Sequence, residues 1–86
     1  MKEIKWSMVK SERLKRARSV SFDEIIQAKL VGIKKHPKRD DQNIMLFEYK
    51  AYIWIVPYVE NEDMIFLKTL YPSRKYTKLF RNGRIK

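Results

Sequence analysis

The chain has 86 residues, 44% of them hydrophobic, and its 20 Lys and Arg against 10 Asp and Glu give a formal charge of +10. One domain over residues 1–86 is what that length supports, with a core that buries roughly 60% of the unfolded surface. The absence of cysteine excludes disulfides and thiolate metal sites. No apolar run approaches the ~20 residues of a membrane span, and Met1 to Met8 holds no apolar signal core, so the expectation is a cytoplasmic protein without a membrane partner.

The first predicted element is a helix over Met8 to Arg18, with Ser11 as a candidate cap and Leu14 and Ala17 as a narrow apolar stripe. Arg13, Lys15, Arg16 and Arg18 cover its remaining faces. A second helix is predicted over Ser21 to Val31. Ser21 and Glu24 have capping-box spacing, Phe22, Ile25, Ile26 and Leu30 share one face, and Gly32 is a natural stop. Val20, just before the cap, is placed to staple against that face.

Beyond Gly32 the pattern becomes that of a sheet. Ile33 to His36 reads as a short strand ended by Pro37, and Lys38 to Asn43 as a polar loop. Ile44 to Tyr49 and Tyr52 to Tyr58 are β-branched and aromatic, with Lys50-Ala51 as their hairpin connection. Pro57 cannot donate to a ladder, so that strand should stop there or lie on an edge. Glu60 to Asp63 is a second turn and Met64 to Tyr71 the last strand. Pro72-Ser73 opens a final helix, capped by Ser73 and ended by Asn82-Gly83, with residues 83–86 as a flexible tail. Tyr76, Leu79 and Phe80 should face the core, while Arg74, Lys78 and Arg81 recur at i, i+4, i+7 on another face. The expected fold is α+β: two N-terminal helices, an antiparallel sheet of three to four strands, and a C-terminal helix.

Charge is unevenly distributed. Residues 1–18 hold seven Lys and Arg against Glu3 and Glu12, and residues 68–86 hold seven and no acid. Residues 44–67 carry only Lys50 against Glu48, Glu60, Glu62 and Asp63. Two basic ends therefore bracket an apolar, slightly acidic middle, a field that attracts polyanions. With one histidine, His36, and no cysteine, a zinc or redox site is not expected, and the only glycines, Gly32 and Gly83, form no phosphate-cradling loop. No metal and no cofactor is predicted. His36 reads as a turn residue before Pro37 rather than a general base, Trp54 as core, and Trp6 as either a staple or a stacking surface.

Arg, Lys and Tyr suit one reaction, metal-free RNA cleavage, because the RNA supplies its own 2′-hydroxyl nucleophile. The protein then needs cations for the phosphorane, help with proton transfer, and aromatic platforms for unpaired bases. Arginine fits a phosphate because its planar fork reaches two oxygens at once.

Two stretches resemble a known family. Arg18-Ser19-Val20-Ser21-Phe22-Asp23-Glu24 is similar to the Lys-His-Gly-Val-Ser-Phe-Glu-Glu signature of BrnT-type toxins. Leu70-Tyr71-Pro72-Ser73-Arg74-Lys75-Tyr76-Thr77 resembles their later Ile-Ser-Ala-Arg-Arg-Ala-Thr segment. Closer still are small toxins with a Thr-Ile-Ile-Pro-Ser-Arg-Lys-Ala-Thr-Lys stretch and a Val-Pro-aromatic-Val-Glu turn like Val56-Pro57-Tyr58-Val59-Glu60. The shared order covers roughly residues 10–80. The resemblance implies a RelE-like fold and the ribonuclease toxin of a type II toxin–antitoxin pair. It also implies a small cognate antitoxin, often of ribbon-helix-helix type, and contact with operator DNA only through the toxin–antitoxin complex. The family histidine falls on Arg18 and its glycine on Ser19, and the two arginines of the late motif fall on Arg74 and Lys75.

The candidate catalytic residues are therefore Arg74, as the main transition-state cation, with Lys75 and Tyr76; Arg16, Arg18, Lys68, Lys78 and Arg81 are the candidate RNA contacts. Lys68 is expected on the last strand, sharing a face with Met64, Phe66 and Leu70. Two other classes of function fit the same charge: a nucleic-acid-binding module that cuts nothing, and a protein whose basic faces receive an acidic partner.

Overall fold

A computed structural model of the protein describes residues 2–84. The elements are β1 (Glu3–Lys5), α1 (Met8–Arg18), α2 (Phe22–Ile25), β2 (Lys29–Lys35), β3 (Asn43–Tyr49), β4 (Tyr52–Glu60), β5 (Met64–Leu67), β6 (Tyr71–Ser73) and α3 (Arg74–Arg81). They form an α+β fold around one mixed six-stranded sheet in the order β1-β5-β4-β3-β2, with β6 also paired to β4.

The sheet is larger than expected and is not wholly antiparallel. β1 pairs parallel to β5, aligning Ile4 with Ile65. Three residues are too few to show a period in the sequence, so this strand escaped it. The central strands β3 and β4 are buried on both faces, which is why Ile44 to Phe47 and Ile53 to Val56 read as continuous apolar runs rather than alternating ones. Met45, Phe47, Trp54, Val56 and Tyr58 point into one cluster with Leu14, Val20, Phe22, Ile25, Leu67 and Leu70. Ile44, Leu46, Ile53 and Ile55 point into a second, against which Tyr76 and Phe80 pack. The alternation fixes the architecture: α1 and α2 cover one face of the sheet and α3 the other.

Helix α1 has its expected bounds but a different cap. Ser7 accepts from the Lys10 backbone N–H at 3.2 Å, while Ser11 is buried and accepts from the Phe22 N–H at 3.1 Å. Ser11 thus joins α1 to α2 instead of starting α1. Of the expected stripe, Leu14 is buried and Ala17 is exposed. The helix closes at Ser19, which takes the left-handed conformation at φ 63°.

The second helix is the largest departure from the sequence reading. The Ser21–Glu24 capping box is present, but α2 ends at Ile25 after one turn. Residues 29–35 pair with β3 instead, Lys29 opposite Glu48 and Ile33 opposite Met45. A helix of one turn has no stability of its own, whereas Val31 and Ile33 suit a strand, and six of the residues from Lys29 to Lys35 find partners along β3, with Val31 passed over at a bulge. Leu30, expected on the buried helix face, is accordingly 46% exposed. Gly32 stops nothing: it follows the irregularity between Leu30 and Gly32 that offsets the β2–β3 register.

The Lys50-Ala51 connection closes the β3–β4 hairpin with φ of 49° and 65°, the two positive values a two-residue I′ loop requires. Strand β4 runs on to Glu60, past Pro57. Pro57 is tolerated in mid-strand because β4 changes neighbours there, from β6 at Ile53–Ile55 to β5 at Tyr58–Glu60. Its carbonyl points into that gap and accepts the Lys68 N–H at 2.8 Å. The expected single strand over Met64 to Tyr71 is therefore two short ones, broken at Lys68 to Leu70. Ser73 caps α3, accepting from Tyr76 N–H at 3.1 Å. At the other end Gly83 N–H bonds Phe80 O and Arg84 N–H bonds Leu79 O, a Schellman closure. Gly83 and Arg84 are thus part of the helix stop rather than of a tail, and residues 85–86 lie outside the described ones.

Candidate nucleic-acid interface

The cations predicted to act together occupy three separate places. Arg16 and Arg18 are exposed on α1, and Arg74, Lys75, Tyr76, Lys78 and Arg81 lie on α3, across the sheet from it. Lys68 belongs to neither. It lies exposed in the break between β5 and β6, with its ammonium 5.8 Å from the Phe66 ring centroid. It therefore does not share a strand face with Met64, Phe66 and Leu70, and Leu70 is instead buried in the first cluster.

The groove beside α1, of about 450 Å³, is electrostatically balanced. Arg16 lines it with Lys15, but also with Glu12 and Asp23. Lys15 is already engaged: its ammonium is 2.7 Å from Glu24 Oε1 and 3.3 Å from the Ser19 carbonyl. That contact and the Ser21 backbone N–H hold the Glu24 carboxyl at a pKa of about 2, below its ordinary 4.5. Tyr49 adds its hydroxyl to Glu24 Oε2 at 3.3 Å. The result is a structural knot between α1, α2 and β3, and it leaves Arg13, Arg16 and Arg18 without acid partners among the described residues.

The α3 surface is basic throughout. Arg74, Lys78 and Arg81 line a groove of about 440 Å³ together with Tyr52, Thr77 and Asn82, and no carboxylate faces it. The geometry follows from two anchors. Thr77 is buried, donates its hydroxyl to the Ser73 carbonyl, and accepts the Ile53 N–H at 2.8 Å, which fastens the helix to β4. Arg81 donates to the Ala51 carbonyl at 3.1 Å, which ties the end of the helix to the hairpin turn. Tyr76 is half-buried against Ile44, Leu46, Ile53 and Ile55, a core position, and Lys75 rests its ammonium 5.7 Å from the Tyr76 ring centroid. Neither Lys75 nor Tyr76 lines the groove. Tyr52, 47% exposed at the start of β4, is the aromatic of this surface, and the sequence marked it only as a strand residue.

A third basic site was not anticipated. Lys10, His36, Arg39 and Lys68 line a pocket of about 480 Å³ at the far end of β4, with Asp41, Thr69 and Tyr71. His36 holds the turn predicted for it, since its Nδ1 accepts from the Lys38 and Arg39 backbone N–H groups at 3.0 and 3.2 Å. Only the chance that β2 ends beside the β5–β6 break brings these residues together, and no spacing in the sequence records that.

The two tryptophans and the remaining phenol are structural. Trp54 is buried and donates its Nε1–H to the Tyr49 carbonyl at 3.0 Å. Trp6 packs against Phe22 with ring centroids 6.0 Å apart, so it is a staple of the core rather than a stacking surface. Burial pushes the pKa of the Tyr58 hydroxyl up, and the Glu60 charge adds to it. Among the described residues no three His, Cys, Asp or Glu side chains converge in a way that could hold a metal ion. No described helix is long and apolar enough to cross a membrane.

No protein-family model matches the chain, and no curated protein or solved structure is significantly similar to it.

Proposed function

We propose that the protein is a cytoplasmic, metal-independent endoribonuclease of RelE-like fold, the toxin of a type II toxin–antitoxin pair. The observation that carries this reading is the α3 groove: three cations at i, i+4, i+7, an exposed Tyr52, and no opposing carboxylate. The 2′-hydroxyl oxygen of the RNA attacks the adjacent phosphorus and the 5′-oxygen leaves, giving a 2′,3′-cyclic phosphate and a 5′-hydroxyl end. The nucleophile's proton passes to solvent and the leaving oxygen takes one up. Arg74 and Lys78 neutralise the charge that builds on the phosphorane oxygens, and Tyr52 stacks on an unpaired base. Lys75 is a peripheral backbone contact, and Arg81 reaches RNA only with the nitrogens it does not give to Ala51. Arg16 and Arg18 on α1 serve a second stretch of RNA or the partner protein.

The backbone lends the family resemblance some support. Ser19 stands where the BrnT-type signature has glycine, and its φ of 63° is the conformation that glycine adopts without cost. A small antitoxin with an acidic segment would cover the α3 groove, and operator DNA would be bound through that complex alone.

A second reading has its own observation. No histidine and no carboxylate lines the α3 groove, so nothing there takes the 2′-hydroxyl proton. The protein would then bind RNA without cutting it. One experiment separates the two: purified protein incubated with RNA in excess EDTA, beside an Arg74→Ala variant. Cleavage leaving 2′,3′-cyclic phosphate ends, lowered on the order of 100-fold or more by Arg74→Ala, is the expected result. Intact RNA with salt-sensitive binding would establish the non-catalytic module instead.

A further inference from the structure

At the pocket by the far end of β4, cations from three separate parts of the chain converge. Lys10 comes from α1, His36 and Arg39 from the loop after β2, and Lys68 from the break after β5. We infer that this pocket is a binding site for the phosphate group of a nucleotide. Four observations point to it.

First, the charge is uncompensated. Three cations face a single carboxylate, that of Asp41, and among the described residues none of the three forms an ion pair with it or with any other acid. Side chains of like charge repel, so an arrangement of this kind is best stabilised by an anion between them.

Second, His36, which lines the pocket, keeps one ring nitrogen free of bonds to the protein. Its Nδ1 accepts two backbone N–H groups, so the proton of the neutral ring sits on Nε2. With Nδ1 occupied, the ring is set as a hydrogen-bond donor to an anion and is not placed as a general base. The Arg39 fork, the Lys10 and Lys68 ammonium groups and the Thr69 hydroxyl are further donors. Phosphate, with several peripheral oxygens spread over a tetrahedron, can receive that many donors, whereas a planar carboxylate offers only two oxygens.

Third, the walls are held by backbone bonds. His36 N–H donates to the Gln42 carbonyl at 3.1 Å and Gln42 N–H to the Arg39 carbonyl at 3.3 Å, which closes the loop on one side. On the other, Lys68 N–H is fixed to the Pro57 carbonyl. The backbone that carries the donors is therefore fixed, and only side-chain freedom is lost on binding.

Fourth, a volume of about 480 Å³ exceeds what an isolated phosphate fills and lies in the range of small-ligand sites. Pro57 and Tyr71 supply an apolar wall for a ribose or base. The same phosphate chemistry can arrive on a mononucleotide or within an RNA strand.

This site does not depend on the reading of the α3 groove, and its test uses binding rather than cleavage. The isotope-labelled protein is titrated with inorganic phosphate, with uridine 3′-monophosphate and with a hexamer of uridylate, while the amide resonances of Lys38, Arg39, Lys68 and Thr69 are followed. Two variants accompany it. His36→Asn keeps an acceptor for the Lys38 and Arg39 N–H groups and removes the ring donor, and Lys68→Met removes one charge. Lys29→Ala, the same loss of charge at the start of β2, controls for net charge. The expected result is saturable shifts at the four amides with the nucleotide or the hexamer, weakened about tenfold in each pocket variant and little changed in Lys29→Ala. Saturation by the mononucleotide assigns the site to free nucleotides; shifts with the hexamer alone assign it to the RNA strand. Amides that stay fixed with all three probes, or that respond in His36→Asn and Lys68→Met just as they do in the parent, overturn the inference. RNA left uncut in EDTA would refute the ribonuclease reading and leave this one standing.

Discussion

Replacing Thr77 by valine keeps the shape of the side chain and removes one oxygen. That oxygen is the only partner in α3 for the backbone of β4: it accepts the Ile53 N–H at 2.8 Å and donates to the Ser73 carbonyl. Both Thr77 and Ile53 are buried, at 4% and 1% exposure, so water cannot replace the lost acceptor. Leaving a buried N–H unpaired costs about 1–3 kcal/mol, and we take ~2 kcal/mol here. For a domain of this size that predicts a melting temperature lower by roughly 8–16 °C. With a urea m-value of ~1 kcal/mol/M, the unfolding midpoint falls by about 2 M. Thr77→Ser retains the oxygen and loses a methyl group, at a cost of about 0.5–1.5 kcal/mol. The assay is urea and thermal unfolding followed by circular dichroism on the three proteins. A Thr77→Val variant as stable as the parent, or a Thr77→Ser variant just as damaged, would refute the argument that this hydroxyl pins the helix.

Three further outcomes follow from the same kind of accounting. Ser11→Ala orphans the buried Phe22 N–H and should lower stability by about 1–3 kcal/mol in urea unfolding. A mere helix cap at Ser11 would have left Phe22 untouched. Ser19→Gly relieves a left-handed residue at φ 63° and should raise the unfolding free energy by about 0.5–1 kcal/mol, allowing for the freer unfolded chain. Glu24 governs the acid limb of stability. Its folded pKa lies at about 2 against an ordinary 4.5, so the folded state binds fewer protons than the unfolded one in that interval. Its contribution is full above pH 4.5 and is lost as the pH falls toward about 2. Glu24→Gln should flatten stability against pH between those values, as measured by urea midpoints across an acid series; an unchanged slope would remove Glu24 from that role.

The parts of the fold that were legible in the sequence are those decided by local chemistry. The Lys50-Ala51 hairpin, the Ser21–Glu24 capping box and the Ser73 cap each depend on residues within a few positions of one another, and each is present. What was not legible depends on a competitor elsewhere. The apolar spacing of Phe22, Ile25, Ile26 and Leu30 is real, yet residues 29–35 find a better set of hydrogen bonds along β3. Likewise the continuous apolar runs of β3 and β4 signalled burial without saying that it came from both faces. That second face matters for the site, because it separates the α1 cations from those of α3. The α3 cations were visible as a helical stripe. The pocket of Lys10, His36, Arg39 and Lys68 was invisible, since its residues are related only through the sheet.

One residue links the topology to that pocket. Proline lacks the N–H that a mid-strand residue offers to the neighbour on one side, so a strand can continue through it only where that neighbour does not need the bond. In β4 the requirement is met by changing partners at Pro57: β6 runs alongside Ile53–Ile55 and β5 alongside Tyr58–Glu60. The chain that joins β5 to β6 must then step out of the sheet, and it does so at Lys68 to Leu70. Leu70 turns inward to full burial, while Lys68 and Thr69 turn toward the loop that carries His36 and Arg39. The Lys68 N–H, freed from any strand partner, closes onto the Pro57 carbonyl. The missing donor that made Pro57 look like the end of a strand is thus the feature that breaks the last strand in two and delivers a lysine to the basic end of the sheet.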